Sequence, residues 1–214
     1  MTYRALVETL DTWFATGRQA AGGVEIPCRR GCGACCLGVF DISSADAALV
    51  AEGLATLPAD RRAALRAGAE AQLERCADLL STPGWGPPWD VDTLPEPVFD
   101  ALSEALAAAP CPALDPDGGC AIYDHRPATC RMTGLAMDAG VAGRLDNECP
   151  VQGEFPDYAA LSPTPFDLIG FERAAHAHDE LARARGFRTT TVAAAIASAP
   201  RRTGEGADSD PASG

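Results

Sequence analysis

"CRRGCGACC", Cys28 to Cys36, places four cysteines within nine residues, the last two adjacent. A second set follows at Cys111, Cys120, Cys130 and Cys149. How these sulfurs are used decides the fold. Disulfides would staple small loops together, whereas metal ligation wraps loops around a centre and leaves the rest of the chain to ordinary helices. The chain holds 9 cysteines, an odd number that suits a complete disulfide framework poorly.

The N-terminal "MTYRALVETLDTWFATGRQA" has no basic stretch followed by an apolar run, since Glu8 and Asp11 interrupt it. No segment approaches the roughly 20 apolar residues of a membrane span, so no membrane association is expected. The expected location is cytoplasmic, where thiols stay reduced and clustered cysteines hold metal more often than they pair.

With 214 residues and 47% hydrophobic content, the chain is long enough to bury a real core. Its formal net charge of −13 repels phosphate backbones and argues against a nucleic-acid partner. Every basic side chain other than histidine is arginine. With so much alanine, this reads as the codon bias of a GC-rich bacterial genome and carries no mechanism.

Around the cysteines the pattern is helical. Tyr3, Leu6, Leu10, Trp13 and Phe14 recur at helical spacing and predict a first helix ending near Gly22-Gly23. Ser43 or Ser44 caps a helix through "ADAALVAEGLATL", with Asp46 in its first turn. Pro58 opens the next, over about 59–80, with Leu65, Ala69, Leu73, Cys76 and Leu80 as its apolar stripe. "STPGWGPPWDVDTLPEP" is a connector whose two tryptophans predict a packed loop. Further helices are expected over about 97–108, 165–185 and 190–199, with an irregular region between Cys111 and Cys149 turned by "DPDGG". The expected fold is mainly α: one small helical domain over 1–199 with irregular cysteine-rich metal-binding loops, and a disordered tail over 200–214.

Thiolates are soft donors, and the glycines beside them let the backbone curl around a centre, so the candidates are zinc, iron–sulfur iron or copper(I). Cys28-x3-Cys32-x2-Cys35 matches the ligand spacing of radical S-adenosylmethionine enzymes. Ala34 nevertheless stands where that family has an aromatic residue, and the alternating strands and helices of its barrel are absent.

Both regions read together, "CRRGCGACC", "CPALDPDGGCAIYDHRPATCRMTG" and "ECP", resemble the YkgJ family of cysteine-cluster proteins, a zinc- or iron-chelating domain with a CxxCxxCC motif. The family's later signature falls on Cys111, Pro112 and Leu114, then Cys120, Ile122, Tyr123, Arg126, Pro127, Cys130 and Arg131. Two departures stand out: the first gap holds three residues, and Met132-Thr133 follow where an aromatic–proline pair is common. The resemblance implies a metal site more than a reaction. The candidate ligands are Cys28, Cys32, Cys35, Cys36, Cys111, Cys120, Cys130 and Cys149.

Structural zinc prefers paired Cys-x2-Cys knuckles, which this chain lacks. Adjacent side chains on extended backbone point to opposite sides, so Cys35 and Cys36 need a special turn to serve one ion. A larger cluster, or two nearby centres, accommodates the pair more easily, and an iron–sulfur cluster is favoured over zinc. Arg126 and Arg131 flank Cys130 and either offset the charge of the thiolates or pair with surface carboxylates. Tyr123 is expected in the core, His125 in a solvated loop, and Cys76 as a buried small hydrophobe. His176 and His178 lie two apart on a helix and cannot share a face.

No nucleophile elbow, phosphate loop or dinucleotide fingerprint occurs. The expected function is a metal-binding module, redox-active or accessory to a partner protein. The alternatives are a metal-dependent enzyme with an open coordination position and a purely structural zinc module.

Overall fold

A computed structural model describes residues 1–80 and 85–200. Helix α1 (Tyr3–Ala20) starts where the Thr2 side chain accepts from the Ala5 backbone N–H at 3.2 Å. Its Leu6, Val7, Leu10 and Trp13 are buried, as the helical spacing of its apolar residues predicts. Strand β1 (Asp41–Ile42) leads into α2 (Ser44–Ala55), capped by Ser43 Oγ accepting from Asp46 N at 3.1 Å. Pro58 is the N-cap of α3 (Ala59–Leu79), whose stripe buries Leu65, Ala69, Leu73 and Cys76.

After the described break come α4 (Glu96–Ala105), α5 (Ala128–Met132) and strands β2 (Met137–Asp138) and β3 (Arg144–Leu145). Then follow α6 (Pro156–Ala159), β4 (Thr164–Pro165), α7 (Leu168–Ala184), β5 (Thr190–Thr191) and α8 (Val192–Ser198). The chain is mainly α, as expected. Trp85 and Trp89 meet edge-to-face with centroids 5.1 Å apart, so that part of the connector is packed. Residues 81–84 of it, and the expected tail beyond Pro200, lie outside the described residues.

Strands β1 and β5 pair antiparallel, Asp41 opposite Thr191 and Ile42 opposite Thr190. Strand β2 pairs antiparallel with β3 and parallel with β4. Neither these two-residue strands nor α6 was expected, because elements so short carry no readable period.

Two large apolar clusters form, beside a small one of Ala45, Ala48 and Ala182. The first joins α2, α3, α4 and α8 around Val50, Leu54, Leu73, Leu106 and Ile196. All of α8 from Val192 to Ile196 is buried, which explains why this short helix is apolar on every side. The second joins α1 to α5, β2 and α7 through Val7, Leu10, Trp13, Met137, Tyr158 and Phe171.

Asp46 links the two. It is 4% exposed, and its Oδ1 accepts from Tyr3 Oη of α1 and from the Ala128 N–H opening α5, both at 2.9 Å. Burial pushes its carboxyl above the ordinary range. Asp46→Ala is expected to destabilise the protein by about 3 kcal/mol, because two buried donors lose their partner. Tyr3→Phe, which removes one hydrogen bond and little volume, should cost about 1 kcal/mol. Urea unfolding followed by circular dichroism measures both.

Candidate metal centre

Two loops must dock for the cysteines to meet. The first is held by tight turns, Cys32 N–H donating to Arg29 O and Cys36 N–H to Gly33 O, each at 3.0 Å. It joins the second region through an antiparallel bridge between Leu37 and Pro110. Gly38 N–H donates to Ala109 O at 2.7 Å and Cys111 N–H to Cys36 O at 2.9 Å. Gly38 takes φ +90°, a conformation that glycine adopts without penalty. At Gly33 the loops touch so closely that a Cβ would lie 2.7 Å from Gly118 O.

The "DPDGG" turn behaves as expected. Gly118 N–H donates to Asp115 O and Asp115 N–H to Gly119 O, both at 2.8 Å, and Leu114 bridges Cys120. Cys120 is thereby folded back toward Cys111. Cys130 rides on α5, whose start is fixed by Asp46.

The result is a cavity of about 640 Å³ lined by Cys28, Cys32, Cys35, Cys36, Cys111, Cys120 and Cys130. Cys149 does not line it. That residue borders a neighbouring cavity of about 500 Å³ together with Tyr158. Among the described residues, no three Cys, His, Asp or Glu side chains close on a single point as a ready-made ion site. The sulfurs stand around the walls instead.

Cys35 and Cys36 depart from expectation. They sit at a turn rather than on extended backbone, and each thiol acts on the other. The neighbouring thiol holds Cys35 below its ordinary range and Cys36 above it. Burial pushes the other thiols up: Cys28 and Cys111 to about 11, with Cys120, Cys130 and Cys149 also raised. Neighbouring thiols add to the shift at Cys28, Cys111 and Cys130, since each disfavours a second negative charge nearby.

Cations line the same walls. Arg131, 2% exposed, donates from Nε to Arg126 O at 3.0 Å, from Nη2 to Asp124 O at 2.9 Å, and from Nη1 to Asp11 Oδ2. Arg126 donates to the other oxygen of Asp11 at 2.7 Å. The pair shares a carboxylate, and Arg126 also lowers Cys28, Cys35 and Cys120.

Tyr123 is not a core residue. Its ring lies between the guanidinium groups of Arg30 and Arg126, 4.3 and 4.0 Å from its centroid. His125 is half-buried, its Cβ and Cγ against Gly53 of α2 and its Nε2 3.3 Å from Arg4 Nη1. It does not line the thiol cavity. His178 rests on Tyr3, and Cys76 lies in the first apolar cluster, as expected of a small hydrophobe. Sequence reading missed Asp11, Asp46 and Tyr158, whose partners are distant along the chain.

A mainly helical chain with clustered cysteines converging on one arginine-walled cavity defines a cysteine-rich chelating class. The match to CxxCxxCC, described as a putative zinc- or iron-chelating domain, runs over residues 27–150 and spans both cysteine regions. The chain belongs to that family. No curated protein and no solved structure matches it. No helix among the described residues is long and apolar enough to cross a membrane.

Thiols raised in the folded state favour the protonated form. Their stabilising contribution is complete below the ordinary value of 9.0 and is lost as the pH climbs through about 11. The metal-free protein is therefore expected to lose stability over this alkaline window, and Cys28→Ser to lessen the loss. Urea midpoints measured at several pH values test this. Because ligation requires thiolates, metal affinity should rise with pH over the same range.

Proposed function

We propose that this protein is a thiolate-based metal-binding module, its donors being Cys28, Cys32, Cys35, Cys36, Cys111, Cys120, Cys130 and Cys149 and its preferred occupant an iron–sulfur cluster over zinc. One observation carries the preference. Seven of the eight sulfurs stand around a cavity of about 640 Å³ instead of closing on a point. Such room suits a cluster built with inorganic sulfide, whereas a zinc ion draws four ligands to about 2.3 Å.

The donor set is chemically appropriate, since soft sulfur suits iron–sulfur iron, zinc and copper(I) alike. Arg126 and Arg131 share one carboxylate, so the wall keeps an excess positive charge that offsets bound thiolates. When bound, an iron–sulfur cluster supplies a one-electron couple, and the module then serves a partner protein as an electron carrier or accessory subunit. The residues of this chain hold and desolvate it. Tyr123 and Arg30 cover one edge, and Arg126 and Arg131 set the charge.

Anaerobic purification followed by iron, zinc and sulfide analysis tests the reading. Coloured protein with iron and acid-labile sulfide is expected. Colourless protein with stoichiometric zinc and no sulfide would replace the cluster by the structural zinc module. Arg126→Ala, which removes a cation without touching a ligand, should lower the cluster's reduction potential, read by anaerobic titration against dyes.

A further inference from the structure

The eight thiols do not form a uniform ring. Cys28 and Cys149 pack into the second apolar cluster, with α1 and Tyr158. Cys111 and Cys120 pack against the first, with α2, α3 and α8. The two halves of the fold thus present their own cysteines.

Local contacts follow the same division. A Cβ at Gly134 would lie 3.3 Å from both Cys28 Sγ and Tyr158 Oη. Tyr158 also shares the smaller cavity with Cys149. Cys28 therefore stands at the wall between the two cavities, on the Cys149 side. Across the large cavity, the backbone bond from Cys111 N–H to Cys36 O joins those two residues, and the Leu114–Cys120 bridge turns Cys120 back over Cys111.

Electrostatic neighbours extend this division to the remaining thiols, Cys130 included although its helix α5 packs on the second cluster. Cys35, Cys32 and Cys149 are foremost among the thiols acting on Cys28, and Cys35 and Cys32 among those acting on Cys149. Cys111 and Cys120 lead for Cys130, and both also act on Cys36. Cys35 is a neighbour of both groups and touches Cys36. The turn ending at Cys36 therefore sits at their boundary.

We infer that the cysteines build two four-thiolate centres: Cys28, Cys32, Cys35 and Cys149 hold one, and Cys36, Cys111, Cys120 and Cys130 hold the other, with the Cys35–Cys36 contact between them. Four thiolates complete a tetrahedral ion or a cubane cluster equally well, so the division is independent of metal identity. It gives the adjacent pair a reason: one peptide delivers a ligand to each centre. It also accounts for Cys149 standing outside the main cavity, since it closes the first centre from the far side. This inference rests on the metal-binding reading above.

Cobalt(II), added anaerobically to the reduced full-length protein, is the probe, read by its thiolate-to-metal charge-transfer absorption. Saturation at two equivalents is expected. Cys149→Ser and Cys120→Ser should each lose one equivalent and keep the other, and the double variant should lose both. Cys32→Ser and Cys111→Ser should repeat the two patterns, so one variant failing to fold does not remove the test. The wild-type end point stands without any variant.

Saturation at one equivalent would overturn the division while leaving metal binding intact. Loss of all binding in both single variants, each folded by circular dichroism, would do the same. A wild-type protein that binds no cobalt and carries no metal as purified would overturn the metal-binding reading itself.

Discussion

The backbone bridge between residues 36–38 and 109–111 is the constraint on which the rest depends. Residues 28–36 and 111–130 are short turns with little apolar surface of their own, so they cannot hold a shape alone. Two main-chain hydrogen bonds across the bridge, at 2.7 and 2.9 Å, register the loops against each other. The contact of Gly33 with Gly118 O leaves no room for a side chain to wedge them apart. The two apolar clusters then grip the assembly from either side, one through Cys111 and Cys120 and the other through Cys28 and Cys149. Loop geometry is thus inherited from helices whose share of the chemistry is Cys130 and Arg131 on α5 and Asp11 on α1.

Burying so many ionisable sulfurs has an electrostatic consequence that the surrounding charges answer. Without a cation, desolvation keeps most of these thiols protonated. Arg131 is buried and makes hydrogen bonds to two carbonyls of the 124–126 segment as well as to Asp11. It therefore braces the loop bearing Cys130 while adding charge, and a substitution there removes both at once. Arg126 is the more separable group, because its guanidinium stacks on Tyr123 at the cavity edge. A net charge of −13 makes these local cations the more telling, since the chain as a whole supplies none in excess.

Most helices were legible because amphipathic spacing and caps are local signals. The Ser43 cap, the opening at Pro58 and the stripe of Leu65, Ala69, Leu73 and Cys76 stand where the periodicity placed them, whereas Leu80, the expected end of that stripe, is the C-cap of α3. The cysteine set and its family were legible from spacing. What was not legible depends on tertiary contact. Asp11 reads in sequence as a charge interrupting an apolar helix, and nothing local ties it to arginines 115 and 120 residues away. Tyr123 reads as a core aromatic, because a ring between two guanidinium groups leaves no periodic trace. Asp46 reads as a first-turn acid, whereas its buried oxygen also serves α1 and α5.

The adjacent cysteines repay closer argument, because their geometry changes the grounds for choosing a metal. Divergent side chains on an extended strand would have argued against zinc. The backbone here instead turns, closed by Cys36 N–H and Gly33 O, so adjacency alone no longer separates the two metals. The ground for the proposed preference is space. A zinc ion draws four sulfurs to about 2.3 Å from one point, whereas seven of these sulfurs line a cavity of about 640 Å³. A cluster carries its own sulfide and reaches outward to ligands that stay near their walls. On the proposed reading, the docking that gathers seven thiols around one cavity leaves room for sulfide between them, and that room is the ground for preferring a cluster.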